Sequence, residues 1–332
     1  MIRLTADALR NLHMKWFSSA KVKNNNHHKE NLCAVVVAIS AVTILYFSHD
    51  PSPAGANPSE LQFDSADLTA SMSSSTDFSQ KSGDGKESGE LSGENAMLMQ
   101  ILLLEKGQRF LSTVPDYTST LYKQERIDGV LNSPSFMQVK IRHEPFSVYM
   151  KWLEGDDPGR ELLYVEGEND DEMLIKLGGV KGRMMPTLKL NPTGDMAMKE
   201  ARYPVTTIGL RNVIKTILSF RYTDLDNMNG MTCRMIDKQK WNKEDCFCFL
   251  MEYQNKQSSD FRKSILYVEK KNYLPICVKN YSWAPDGRDD LTGEKLDEET
   301  LCEFYSFSNI VTEDRLASAD FDESNSSYQF RR

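Results

Sequence analysis

Histidine is scarce in this chain of 332 residues: of five copies, His13, His27, His28 and His49 lie near the N-terminus, and only His143 falls in the part that reads as folded. One histidine leaves little from which to build a His-based triad or a histidine-rich zinc site. A basic surplus is missing too. There are 48 acidic side chains against 40 lysines and arginines, a net charge of −8, and no stripe interleaves basic with aromatic residues. Nucleic acid is therefore excluded as a partner. The phosphate-cradling G-x-x-x-x-G-K-[ST] loop and the nucleophile elbow G-x-S-x-G are both absent. Asp320, Asp322 and Ser324 resemble the start of a calcium loop, but Asn325 stands where glycine is needed and Arg331 where the bidentate glutamate belongs. Cys246-Phe247-Cys248 lacks zinc-ligand spacing and has no histidine beside it. No catalytic residue, metal or cofactor is expected.

What is present begins with a basic segment, residues 1–31, carrying Arg3, Arg10, Lys15, Lys21, Lys23 and Lys29 against Asp7 and Glu30. The uncharged run LCAVVVAISAVTILYF follows at Leu32–Phe47. As a helix it rises about 24 Å, a little short of a hydrocarbon core of about 30 Å. Basic flank, short apolar run and polar exit predict a transmembrane signal anchor or a signal peptide over 32–48. The A-x-A site Ala54-Gly55-Ala56 lies well past Phe47 and beyond two prolines, which favours the uncleaved anchor. Cys33 opens the apolar run, whereas a lipidated cysteine follows one. The positive-inside rule keeps residues 1–31 cytoplasmic and places the rest on the periplasmic side, tethered, or secreted into the periplasm if the signal is cleaved. Residues 49–95, rich in Ser, Gly and acids, bury too little apolar area to order themselves and read as a disordered linker.

Residues 96–332 read as one exported α+β domain. Met97, Ile101, Leu104, Gln108 and Leu111 repeat at spacings of four and three, which predicts a helix over Met97–Leu111. Alternation then predicts strands at Tyr117–Glu125, Phe136–Arg142, Ser147–Trp152, Glu161–Val165 and Met173–Leu177, divided by turn signals such as Asp128-Gly129 and Glu144-Pro145. Met137, Val139 and Ile141 share one face against Gln138, Lys140 and Arg142. Val148, Met150 and Trp152 repeat this against Ser147, Tyr149 and Lys151. Such patterning predicts a sheet covered on one side only. Thr206 or Thr207 is placed to cap a second helix carrying Leu210, Val213, Ile214, Ile217 and Leu218. Strands resume at Thr232–Ile236, Cys246–Tyr253, Ser264–Glu269, Leu274–Tyr281 and Cys302–Ile310. The reading is a curved antiparallel sheet whose hollow holds the helices.

The segments VPDYTSTLYKQERIDG (114–129), RHEPFSVYMKW (142–152), GRELLYVEG (159–167), YPVTTIGLRN (203–212), LYVEKKNYLPICVKNYSW (266–283) and ADFDESNSSYQF (319–330), in this order, resemble domain of unknown function 1571. That family comprises exported planctomycete-type bacterial proteins. The resemblance implies a fold similar to the LolA/LolB lipoprotein carriers, a half-open antiparallel barrel wrapping helices around an apolar cavity. It assigns no active site. Asp322-Glu323 and Asn325-Ser326 depart from the family's acid–proline and Asn-Pro, and Glu269 replaces a usual Asp.

Five cysteines lie in the exported part, an odd number, so at least one thiol stays free or pairs between chains. A hairpin over 232–253 turning near Trp241-Asn242 sets Cys233 opposite Cys248 or Cys246, a possible disulfide; the alternative is reduced, buried cysteines acting as small apolar residues. The acidic clusters Asp156-Asp157, Asp170-Asp171-Glu172, Asp289-Asp290 and Asp297-Glu298-Glu299 read as solvated turns. Met137, Val139, Ile141, Val148, Met150 and Trp152 are the candidate lining of an apolar cavity, large and soft enough for acyl chains. The function expected is a non-enzymatic envelope module holding a lipid or lipoprotein. The alternative is a structural or sensory interaction domain with a filled core.

Overall fold

The computed structural model describes residues 90–330. The basic segment, the apolar run 32–48 and the linker as far as residue 89 lie outside the described residues. No helix among the described residues is long and apolar enough to cross a membrane. Residues 90–95, read above as the end of the linker, belong to the fold: they form an edge strand, β1 (Glu90–Ser92), and the first turn of helix α1 (Glu94–Thr113).

Alternating residues then build a meander of β2 (Asp116–Ile127), β3 (Val130–Leu131), β4 (Ser135–His143), β5 (Phe146–Glu154), β6 (Glu161–Val165), β7 (Met173–Lys176) and β8 (Leu188–Leu190), with a short helix α2 (Gly179–Met184) before β8. Helices α3 (Asp195–Met198) and α4 (Leu210–Leu225) lead to a second meander. It comprises β9 (Met231–Trp241), β10 (Glu244–Tyr253), β11 (Lys263–Glu269), β12 (Pro275–Tyr281) and β13 (Leu301–Val311), with α5 (Gly293–Thr300) before the last strand. The strand order is β1-β9-β10-β11-β12-β13-β2-β4-β5-β6-β7-β8, antiparallel throughout, with β3 beside β2. The meanders join along β2 and β13, while β1 and β8 remain edges. The result is the curved, unclosed sheet that the alternation predicts.

Helix α1 buries Met97, Ile101, Leu104 and Leu111, but Gln108 is exposed and Gly107 takes the inward place. A larger residue has no room there, since a Cβ on Gly107 would stand 2.3 Å from the carbonyl oxygen of Tyr273. Helix α4 packs antiparallel to α1 and buries Leu210, Ile214 and Leu218. The Arg211 guanidinium donates to the Leu111 carbonyl (3.1 Å), and the Tyr222 hydroxyl donates to Glu105 (2.7 Å). Neither threonine caps α4. Its N-cap is Gly209 at φ +102°, and the Thr207 hydroxyl donates to the Pro204 carbonyl instead. Glycine is needed at 209 for that backbone and for space: a Cβ would meet Ile141 Cδ1 at 2.7 Å.

The sheet is not covered on one side only. Tyr149, expected on the wet face of β5, is buried with Leu163, Val165 and Leu174 beneath Phe321, Tyr328 and Phe330 of the C-terminal segment. The rings of Tyr149 and Tyr328 stack with centroids 3.9 Å apart. The segment is fastened through Asp116, whose carboxylate accepts from the Leu316 amide (2.8 Å) and Arg315 Nε (3.1 Å), and through Lys140, which donates to Asp320 (2.6 Å). The cluster Asp297-Glu298-Glu299 lies in helix α5, not in a turn, and Asp297 pairs with Arg262 and Lys263.

The Cys233–Cys248 bridge does not form. The hairpin turns at Asn242-Lys243, both at positive φ, and β9 carries one extra residue near Lys238, where the register shifts between Cys246 and Cys248. Cys233 therefore faces Met251 and Cys248 faces Ile236. Positions 233 and 236 are offset by three along β9, so the two thiols project from opposite faces of the sheet. Cys246 lies opposite Gln239. All five cysteines among the described residues are free and buried. Burial pushes the thiols of Cys233 and Cys248 up to about 11.

Candidate functional site

The register brings the six apolar candidates together as three cross-strand pairs, Met137 with Trp152, Val139 with Met150, and Ile141 with Val148. They share the face of Tyr117, Ser119 and Leu121, which pair with Ile141, Val139 and Met137. This is the concave face, because the Leu210 amide of α4 donates to the Tyr117 hydroxyl (2.9 Å). Met137, Val139, Ile141, Val148 and Met150 are buried in the main core with Met97, Leu104 and Ile214, while Trp152 is partly buried under the Arg160 guanidinium, 4.9 Å from its ring centroid. The helices thus occupy the hollow that the residues shape. Of the six, Ile141 lines a preformed recess.

That recess is a half-open cavity of about 210 Å³ between the β4–β5 turn and the approach to α4. Ile141, His143 and Phe146 form one wall, and Thr206, Ile208, Gly209, Arg211 and Asn212 the other. No carboxylate lines it. His143 Nδ1 lies 2.7 Å from the Val114 carbonyl, an acceptor, so Nδ1 carries the proton and Nε2 is a bare lone pair. Nε2 has no partner. Burial lowers the ring's pKa below its ordinary value, and the Arg211 charge adds to this, against the Val114 carbonyl, Asp116 and Glu144. Apart from Ile141, all the residues lining the recess fall within RHEPFSVYMKW and YPVTTIGLRN. The two motifs were visible in sequence, but nothing in their separation shows that they meet.

A second polar group, also missed by sequence reasoning, sits where the meanders join. Glu125 and Glu303 pair directly across β2 and β13, both buried. Like charges so placed repel, and Arg202 bridges them, its amide donating to Glu125 (3.0 Å) and its Nε to Glu303 (3.0 Å). Lys123 (3.0 Å) and the Tyr305 hydroxyl also reach Glu125, and Asn280 donates to Glu303 (2.6 Å). Every carboxylate oxygen is satisfied, so the group fastens the two halves of the sheet. No group of three or more His, Cys, Asp or Glu among the described residues is arranged to hold a metal.

These features define an α+β protein built on an open antiparallel sheet, with an apolar concave face plugged by its own helices. The chain belongs to the DUF1571 family of proteins of unknown function, whose profile matches residues 114–330. No curated protein shows a significant match. Among solved structures it is similar to a putative outer membrane lipoprotein-sorting protein domain from Vibrio parahaemolyticus, with 14% identity over 66% of this chain and 96% of that one, TM-score 0.28. It is similar also to the lipoprotein LppX from Mycobacterium tuberculosis, with 8% identity over 66% and 98%, TM-score 0.38. A LolA superfamily protein from Nitrosomonas europaea has 13% identity over 67% and 96%, TM-score 0.27.

Proposed function

We propose that this protein is a non-enzymatic cell-envelope module that holds a lipid or the lipid of a lipidated partner on its concave face, tethered on the periplasmic side through residues 32–48. One observation carries the reading: the two-helix plug has apolar side chains on both its sides. Its inner side buries Met97, Leu104 and Ile214, and its outer side leaves Leu98 and Leu102 on α1, with Phe220 and Tyr222 on α4, 40–45% exposed. The plug is thus suited to rest in the hollow and to turn apolar residues toward a membrane or a partner when it swings out. The concave face beneath is lined by soft, adaptable methionines, Met137, Met150, Met231, Met235 and Met251.

A second reading, an interaction domain with a permanently filled core, is favoured by the tight burial of the candidate residues and by a cavity smaller than the ~300 Å³ of ordinary ligand pockets. Organic extraction and mass spectrometry of the purified full chain, with a Met150→Lys variant as control for lipid held by residues 32–48, separates the two. Lipid retained by the natural chain and lost from the variant supports the lipid module. Equal lipid in both favours the filled core.

A further inference from the structure

The edge of the sheet beyond β7 carries an element that the lipid reading leaves unused. From Met173 to Gly194 the chain holds Lys176, Lys181, Arg183 and Lys189 and no aspartate or glutamate, in a protein whose net charge is −8. Helix α2 lies within this run. Val180 and Met184, four residues apart, share one of its faces. At 72% and 81% they are the most exposed large apolar side chains among the described residues, and Met185 beside them is 43% exposed. Arg183 is exposed as well. This exposure is built into the fold. The Lys176 ammonium donates to the Met185 carbonyl (2.6 Å), and the Gly178 amide donates to Asp157 (3.1 Å). Gly178 packs so closely on the β5–β6 turn that a Cβ there would stand 2.1 Å from the Pro158 carbonyl oxygen. The residues on either side of α2 are thus fastened, and the fold holds its apolar face in the open.

We propose that α2 is a membrane-contact element: Val180, Met184 and Met185 enter the interfacial layer of an anionic phospholipid bilayer, and Arg183 meets the lipid phosphates. Apolar side chains flanked by cations suit that layer, and every cation of the run gains from the negative potential of an anionic leaflet. An acidic protein would answer the charge, but it must also offer a pocket shaped to the protruding side chains, whereas a bilayer takes them without one. Three side chains on a helix of six residues bind a bilayer weakly by themselves. The contact therefore rests on the tether proposed through residues 32–48, which keeps a membrane close and raises the effective concentration of the second contact. It goes beyond holding lipid, since it fixes which edge of the sheet faces the membrane whether or not a guest is bound.

The test is a peroxide footprint of the full chain in nanodiscs of phosphatidylcholine, alone or mixed with phosphatidylglycerol, with free methionine as internal standard. Exposed methionine oxidises to the sulfoxide, and peptide mass spectrometry reads the rate at Met184. Oxidation slowed about fivefold or more in the anionic discs relative to the zwitterionic ones, the worth of a single basic side chain at an anionic surface, supports the contact. The difference should vanish on Arg183→Glu and in high NaCl. Should Arg183→Glu fail to fold, the salt dependence of the natural chain still decides. Equal rates in the two kinds of disc overturn the proposal: both fast leaves α2 to a protein partner, and both slow shows a contact indifferent to lipid charge. A chain that co-elutes with neither disc overturns the tether and this contact together. A chain that co-elutes with Met184 unprotected overturns the contact alone. None of these results bears on the lipid extraction above, which reads the concave face.

Discussion

Two residues show how burial, rather than proximity alone, decides what a charge does. Glu303 is fully buried, and its desolvation raises its carboxyl pKa against the opposing pull of Asn280 and Arg202. Removing the bridging Arg202 leaves two facing carboxylates with Lys123 as their remaining cation. Breaking a buried pair in this way costs about 3–5 kcal/mol; Arg202 is partly exposed and Lys123 remains, so Arg202→Met should fall at the lower end. Glu303→Gln in the same chain should recover part of the loss, giving a non-additive double-mutant cycle in urea denaturation. An additive cycle would mean that the two groups are not coupled. At His143 the sign is different. The folded ring resists protonation, whereas the unfolded ring takes up a proton below about 6.5, so the unfolded state binds more protons and stability falls as pH drops through that value. Melting temperatures from pH 7.5 to 5 should therefore fall more steeply for the natural protein than for His143→Gln, and parallel curves would refute the assignment. Neither residue's role is legible from its neighbours in sequence, because Glu125 and Glu303 meet only through strand register.

Elements were legible where a periodic signal was long enough to read. The strands at 136–142, 161–165 and 246–253 fall within observed strands, because one face of each is uniformly apolar. Short pieces such as β1, β3, β8, α2 and α3 carry no such period and were missed. Tyr149 misled for another reason: between Ser147 and Lys151 it alternates as a solvent residue does, and its cover comes from Tyr328, far along the chain. The motif ADFDESNSSYQF thus acquires a structural task. Tyr328→Ala removes the stacked ring and its hydrogen bond with Lys140, and should cost about 3 kcal/mol, in the range for deleting a buried aromatic. The urea midpoint reads this, and early proteolysis within 316–330 should accompany it. An unchanged midpoint would show that the strap adds nothing to the fold. The cysteines make a companion prediction, since a thiol pushed up to about 11 and buried on either face reacts poorly. The five thiols of the described residues should resist a thiol reagent until the protein is denatured, and fast native reaction would contradict the burial.

For the whole molecule the question is whether the helices leave the hollow, and energetics sets a measurable slope. Displacing α1 and α4 exposes their inner apolar stripes and the sheet's concave face, so a guest must return comparable apolar burial. Each methylene transferred from water contributes about 0.8 kcal/mol, or roughly fourfold in affinity. A guest confined to the recess gains only from the carbons that Ile141, Phe146 and Ile208 border, and a cavity of about 210 Å³ ends that gain early. Fatty acids of increasing length, kept below their micelle concentrations, therefore distinguish a shallow site from an opened hollow. If the plug moves, affinity should keep rising by roughly fourfold per carbon beyond the first few, and hydrogen exchange should quicken in α1 and α4 while the β10–β12 ladder stays protected. A plateau after the first few carbons, with unchanged exchange in the helices, would mean that the sheet closes permanently on its own side chains.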